Sequence, residues 1–208
     1  MAVDDPARAD PAPAATVTLP SRPRLAVLGA GHTGPVIARV AMAAGYPVTI
    51  AASGDPVNIA LIADVLAPGA EARWAADAVA DAGIVVLAIP LHRFPSLDPD
   101  LLADRLVVDT MNYWPPVDGV QAMFDDPRYG SSEIVQRRLA RATVVKTLNH
   151  IGYHELGAAV RIVADLIERI GYDAVRLDGL RAGRLLQPGG PVFGVPLGRT
   201  GFARALAG

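Results

Sequence analysis

The chain has 208 residues, of which 51% are hydrophobic and 19% are charged, and its formal net charge is −2. This length supports one domain with a sizeable core, and the near-neutral charge gives no electrostatic reason to expect nucleic acid or an anionic membrane as a partner. The absence of cysteine excludes disulfides, thiolate catalysis and thiolate metal ligation. No apolar run approaches the roughly 18 residues of a membrane helix, and no signal segment opens the chain, so we expect a cytoplasmic protein.

Three regions differ in composition. Residues 1–22 are rich in Ala, Pro and Asp without periodicity, which predicts a disordered tail. From residue 23 to residue 186, strand-like and helical stretches alternate, which is typical of an α/β protein with a Rossmann-like, doubly wound parallel sheet. Residues 187–208 are rich in Gly and Pro and too few for a second domain. We therefore expect a single domain, 23–186, with a shortened carboxyl-terminal part and an extension, 187–208.

A glycine motif opens the α/β region. It lies between an expected strand at 24–28 and an expected helix at 36–44, and a second strand is expected at 48–51. The pattern G-x-G-x-x-G in this position is typical of dinucleotide binding, because it allows a tight turn, a close approach of pyrophosphate and close packing of helix on strand. The pyrophosphate would bind the free N–H groups at the start of the helix. The candidate binding residues of this motif are Gly29, Ala30, Gly31, His32, Thr33 and Gly34.

The end of the second strand indicates which dinucleotide is bound. NAD sites usually place an Asp or Glu there to hold the ribose 2′-hydroxyl, whereas this chain has Ala51–Ala52. Ser53 can donate a hydrogen bond to a 2′-phosphate and Gly54 offers a backbone N–H, so the sequence favours NADP(H). Asp55 comes too late for the ribose, and we interpret it as the cap of the next helix, whose first position is a proline.

The remaining elements continue the alternation. Residues 84–88 form a continuous apolar run, as expected for a central parallel strand buried on both faces. The other strands are expected at 71–74, 106–109, 143–147 and 174–177, and the other helices at 58–66, 75–82, 132–140 and 156–170.

Polar residues collect in the loops that follow the strands, where ligands bind in parallel sheets. These loops are residues 89–94, 110–116 and 148–154. Together with the glycine loop they contain all four histidines of the chain, which are His32, His92, His150 and His154. We therefore expect the histidines to border one shared crevice.

The roles of these loop residues stay open at the level of the sequence. His92 and His150 are candidates for acid–base catalysis. His150 and His154 are four residues apart but lack an evident third ligand, so we expect no metal site. Tyr113–Trp114 either stack on a flat ring or pack in the core.

At this point the chain resembles a known family, the coenzyme F420-dependent NADP oxidoreductases. The resemblance extends from Leu25 to about Leu186. The first motif is shared by many dehydrogenases, whereas the ordered set is much more specific. It consists of residues 27–34, 86–90, 108–112, 130–133, 144–149, 166–173, 177–180 and 183–186.

The resemblance implies that NADP(H) lies on the glycine loop and that a deazaflavin, coenzyme F420, lies in the crevice beyond the strands. A hydride then passes directly between the two rings, so no side chain is certain to act as a catalyst. Thr33 and Ser53 would meet NADP(H), and Ile89–Pro90 would back the nicotinamide, with Leu91 and His92 following in the same loop. Asn149–His150 and residues 188–194 would border the second ring. The family is commonly dimeric, which implies a homodimer.

Two departures from the family pattern keep alternatives open. The family usually has an arginine where Gly54 stands, and it carries a further segment with one more strand between His154 and the last long helix. One alternative is an NADPH-dependent reductase of a small carbonyl or imine, with His92 or His150 as proton donor and a site completed by a dimer partner. Another is a non-catalytic module that senses NADPH. Residues 187–208 leave no room for the helical substrate domain of such reductases, which favours a flat partner cofactor.

Overall fold

The computed structural model describes residues 21–126, 128–148, 157–175, 177, 179–195 and 197–207. The disordered tail expected over residues 1–22 lies outside this part of the chain, except for its last two positions. Asn149, His150 and His154 also lie outside the described residues.

The centre of the fold is a six-stranded sheet in the order β3-β2-β1-β4-β5-β6. Every described pair of neighbouring strands is parallel, which confirms the expected Rossmann-like α/β class. The strand order reverses between β1 and β4, so the sheet has a switch point there. The strands are β1 (Leu25–Leu28), β2 (Val48–Ala51), β3 (Glu71–Ala72), β4 (Ile84–Leu87), β5 (Leu106–Asp109) and β6 (Thr143–Lys146).

Helices pack on both faces of the sheet, so the inner strands are buried on both sides. One core cluster joins β1 to α1, α2 and α6, and the other joins it to α3 and α5. The α-helices are α1 (Thr33–Ala43), α2 (Val57–Leu66), α3 (Ala75–Ala80), α4 (Pro115–Asp118), α5 (Ser131–Arg138), α6 (Gly157–Arg169) and α7 (Arg199–Ala207). Short 3-10 helices cover Leu91–Ser96, Pro99–Leu102 and Leu180–Leu186. No helix in the described ranges is both long and apolar enough to cross a membrane.

The expected strand at 174–177 is absent at its three described positions. The apolar side chains that suggested it, Val175 and Leu177, pack instead against a small carboxyl-terminal cluster of Leu186, Val192 and Phe202. This packing also crosses the boundary expected at residue 186. Tertiary contacts between side chains therefore override the strand propensity of the segment.

A buried charged network joins the ends of β5 and β6. The Asp109 carboxylate accepts hydrogen bonds from Ser132 Oγ at 2.8 Å and from the Met111 N–H at 2.9 Å. Lys146 Nζ lies 3.4 Å from the same carboxylate and donates to the Met111 carbonyl. Lys146 is the only lysine of the chain, and burial lowers its pKa although Asp109 opposes the shift.

This network predicts unequal effects of removing its two charges. Asp109→Leu leaves an ammonium group buried with a carbonyl as its remaining partner, and we expect a loss of about 3–5 kcal/mol in the free energy of unfolding. Lys146→Met is less harmful, because Ser132 and the Met111 N–H still bind the carboxylate. The double variant should be more stable than the sum of the single losses predicts, which urea unfolding measures. Strictly additive losses would contradict the coupling.

The lowered pKa of Lys146 also predicts a pH effect on stability. Between the folded and unfolded pKa values of this group, the unfolded chain binds more protons. The contribution of Lys146 to the free energy of unfolding therefore rises with pH across that window. Unfolding curves of the wild type and of Lys146→Met at neutral and alkaline pH test this, since the rise should be absent from the variant.

Candidate active site

The glycine loop begins at the switch point of the sheet. Gly29 follows β1 with φ +126°, and its N–H donates to the Ala51 carbonyl at 2.7 Å. A Cβ atom at this position would lie 2.2 Å from the carbonyl oxygen of Ala88, which follows β4. Only glycine fits both the backbone angle and this close approach. The loops after β1 and β4 are therefore in direct backbone contact.

The other two glycines of the motif have different surroundings. A Cβ on Gly34 would lie 1.8 Å from the Gly29 carbonyl oxygen, so α1 packs directly on the loop. A Cβ on Gly31 would meet nothing within 4 Å. The space next to Gly31 is thus open to a ligand, while the space next to Gly29 and Gly34 is filled by the protein itself.

The amino terminus of α1 faces this open space. His32 is the cap position, no side chain of the described residues caps the helix there, and its first turn contains no acidic residue. His32 and Thr33 are exposed. The first N–H groups of the helix and the positive end of its dipole can therefore bind an anion.

The loop after β2 presents Ser53 and Gly54 at the surface. Gly54 has φ +104°, and a Cβ there would meet nothing within 4 Å. Asp55 accepts the N–H of Val57 at 2.9 Å and so caps α2, as the sequence indicated. Its carboxylate is therefore engaged in local structure, and Ser53 is the exposed side chain nearest the strand end.

The loop after β4 has both exposed and buried residues. Pro90 is exposed, and Ile89 is half-buried against the second core cluster. Leu91, a candidate for cofactor binding, is only 1% exposed and packs in that core. Its side chain faces the protein interior, which leaves its backbone as the part available to a ligand.

His92 forms a pair with a buried carboxylate that the sequence did not single out. Its Nδ1 atom lies 3.0 Å from Asp118 Oδ1, and its backbone N–H donates to the same oxygen at 3.1 Å. The second oxygen, Oδ2, accepts the N–H of Trp114 at 2.9 Å. The side chain of Asp118 is 3% exposed, whereas that of His92 is 31% exposed. Asp118 thus ties together the loops that follow the adjacent strands β4 and β5.

The two aromatic residues after β5 have separate environments. Tyr113 packs against Phe124 with ring centroids 5.8 Å apart, and its hydroxyl oxygen accepts the N–H of Gln121 at 2.9 Å. Trp114 is 54% exposed. Tyr113 is therefore half-buried against the second core cluster, whereas the side chain of Trp114 is largely exposed to solvent.

The loop after β6 contributes less to the described geometry, because Asn149 and His150 lie outside the described residues. Residues 188–194 form turns, and Gln187 Nε2 donates to Ser131 Oγ next to them. Val192, in the middle of these turns, is buried. The described part of the chain contains no group of three or more His, Asp or Glu residues that could hold a metal ion.

Comparison with known protein families finds a match in one part of the chain. Residues 24–113 match the family described as NADP oxidoreductase, coenzyme F420-dependent. The match confirms the resemblance noted in the sequence and supports an NAD(P)-dependent oxidoreductase. No curated protein matches the sequence.

Solved structures share the fold over most of the chain. The hypothetical protein SMa0349 from Sinorhizobium meliloti is 26% identical with a TM-score of 0.70, covering 86% of this chain and 97% of that one. A protein from Arthrobacter sp. FB24, described provisionally as an F420-dependent NADP reductase, is 24% identical with a TM-score of 0.62, and the match covers 78% and 87% of the two chains. An imine reductase from Pseudomonas sp. is 17% identical with a TM-score of 0.51, and the match covers 76% of this chain but 56% of that one.

The glycine contacts predict that two equivalent-looking substitutions differ in stability. Gly34→Ala forces α1 away from the Gly29 carbonyl, and we expect a loss of about 1–3 kcal/mol in the free energy of unfolding. Gly31→Ala meets open space and should unfold at the temperature of the wild type. Differential scanning calorimetry of the two variants checks this, and equal melting temperatures would contradict the packing described above.

Proposed function

We propose that this protein is an NADP(H)-dependent oxidoreductase that transfers a hydride directly between the nicotinamide and a deazaflavin, coenzyme F420, or a flavin-like acceptor. The observation that carries the proposal is the glycine loop at the switch point, with Gly31 open and the first turn of α1 uncapped by any described side chain. The family match over residues 24–113 supports the same reaction class.

The described residues fit the dinucleotide. The pyrophosphate would lie over Gly31 and the first N–H groups of α1, next to His32 and Thr33. Ser53 and the Gly54 N–H would bind the 2′-phosphate, and Ile89–Pro90 would support the nicotinamide ring. When bound, the dinucleotide provides a hydride at this ring. The protein residues hold it in position and keep water away from it.

A flat acceptor suits the rest of the edge. Trp114 offers an exposed ring surface next to the loop that contains His92. Val192 and Phe202 form a small cluster with Leu186, and Val175 and Leu177 pack against this cluster. We therefore assign residues 23–186 to the cofactor domain and the remainder to a short extension of it.

A second candidate function is the reduction of a small carbonyl or imine by NADPH. The observation that favours it is the pair of His92 and Asp118, because a histidine held by a buried carboxylate is a common proton donor. The two candidates differ in the size and shape of the acceptor.

The test is a reaction of the purified protein with NADPH and coenzyme F420, in which the absorbance bands of both are followed together. Coupled loss of both bands, dependent on the protein, supports the proposal. Parallel reactions with free flavin and with a panel of small ketones and cyclic imines identify the second candidate. Tight NADPH binding by calorimetry with no turnover of any acceptor would instead indicate an NADPH-sensing module and overturn both.

The open space next to Gly31 predicts a selective loss of cofactor binding. Gly31→Val places a branched side chain where the pyrophosphate would lie, and we expect NADPH affinity to fall at least tenfold without a change in melting temperature. Isothermal titration calorimetry measures the affinity. Unchanged affinity would show that the dinucleotide does not cross this loop.

The loop after β2 predicts the preference between the two nicotinamide dinucleotides. Ser53→Asp places a carboxylate where it repels a 2′-phosphate and can accept from a ribose 2′-hydroxyl. We expect the ratio of NADPH to NADH affinity to fall at least tenfold. Ser53→Ala is the matched control, since it removes the hydroxyl without adding charge and should produce a smaller change.

A further inference from the structure

The proposed reaction requires a proton as well as a hydride. NADPH delivers two electrons and one hydrogen to a carbon of the acceptor, and the electron pair of the acceptor's double bond moves to a nitrogen or an oxygen atom. That atom then takes up a proton from a donor in the site. The following inference rests on the proposed function and concerns the source of this proton.

Asp118 holds His92 in one orientation. A carboxylate can only accept hydrogen bonds, so His92 Nδ1 donates its proton to Oδ1 across the 3.0 Å contact. The backbone N–H groups of His92 and Trp114 donate to the two oxygens of the same carboxylate. The ring is therefore fixed at Nδ1, and Nε2 is the nitrogen left for another partner.

The pair lies in the loop that follows the contact between Ala88 and Gly29, close in sequence to the residues proposed to support the nicotinamide. His92 follows Ala88 by four residues, and the Ala88 carbonyl lies against Gly29 at the start of the cofactor loop. Both loops held by Asp118 leave the carboxyl ends of adjacent strands, β4 and β5. The imidazole is partly exposed, so solvent can return a proton to it. The backbone N–H of Trp114 binds the same carboxylate. The side chain of Trp114 is exposed and offers a surface for a planar ring.

We propose that His92, positioned by Asp118, is the proton donor to an acceptor that stacks on Trp114. The donor is the imidazolium form of His92, which carries protons on both Nδ1 and Nε2. As the hydride forms the new C–H bond of the acceptor, the Nε2–H bond breaks and its proton moves to the acceptor nitrogen or oxygen, which leaves the neutral Nδ1–H ring. The neutral imidazole is then protonated again by solvent. In sum, the acceptor, NADPH and one proton become the reduced acceptor and NADP⁺. The acceptor is thus a planar conjugated compound with a proton-accepting heteroatom.

The first experiment compares acceptor reduction by His92→Gln and Asp118→Asn with the wild type under single-turnover conditions. We expect losses of about 10²-fold or more for His92→Gln and a clear loss for Asp118→Asn, with NADPH affinity unchanged in both. Asp98→Asn is the matched control, because Asp98 caps the neighbouring 3-10 helix and should leave the rate unchanged. Added imidazole should restore part of the rate of His92→Ala.

The second experiment measures the tautomer of His92 and the contact of the acceptor with Trp114, and it requires no turnover. At a pH where the ring of His92 is neutral, nitrogen-15 NMR should show it as the Nδ1–H tautomer in the wild type and as a mixture of tautomers in Asp118→Asn. Acceptor titrations should quench the fluorescence of Trp114, measured in Trp74→Phe, and not that of Trp74, measured in Trp114→Phe.

The outcomes separate this inference from the proposed function. Wild-type turnover with an unchanged rate in His92→Gln, or an Nε2–H tautomer of His92 in the wild type, overturns the role of His92 and leaves the oxidoreductase function intact. No NADPH binding and no turnover in the wild type overturns both. A slow His92→Gln variant with imidazole rescue of His92→Ala supports both.

Discussion

The contact between the backbones of Gly29 and Ala88 determines where everything in the candidate site can lie. β1 stands between β2 and β4, and the missing side chain of Gly29 lets the carbonyl after β4 come against the turn after β1. The segment after β1 then packs on one face of the sheet and the segment after β4 on the other. Parallel sheets bind their ligands at such a switch point, and the glycine loop and the His92 loop lie on its two sides. A side chain at position 29 would push these loops apart.

Two buried carboxylates at the same edge of the sheet have different consequences because their partners differ. Asp109 is surrounded by internal donors, namely Ser132, Lys146 and the Met111 N–H, so it holds strands and helix together without contact to solvent. Lysine suits this position better than arginine, since an ammonium needs fewer acceptors than a guanidinium and Gly183 packs closely against its stem. Asp118 instead binds a histidine ring that reaches the surface. The first carboxylate stabilises the fold, and the second holds a partly exposed histidine from the interior.

The sequence predicted the structure correctly where the local residue pattern and the tertiary environment favour the same conformation. The apolar run before Ala88 became a central strand, and the three glycines proved to have three separate surroundings, as the motif predicts. The strand expected at 174–177 was wrong because its periodicity is also satisfied by packing on Leu186 and Phe202, which no local pattern reveals.

Asp118 was missed because its role, too, depends on a contact that is distant in sequence. Its partner is 26 residues away, and its only local signal was the pair of prolines that begins α4. The cofactor and proton-donor roles of the loop residues remain predictions.

The pair of His92 and Asp118, at the carboxyl ends of β4 and β5, favours some hydride acceptors over others. An acceptor that receives a hydride and nothing else gains no advantage from an imidazole fixed at Nδ1, because no atom of such an acceptor becomes basic. An acceptor with a heteroatom conjugated to the hydride-accepting carbon does gain, since charge develops at that heteroatom as the C–H bond forms. A flat ring stacked on Trp114, as we propose, meets this condition. The position of the histidine is therefore consistent with the planar, conjugated acceptor proposed above.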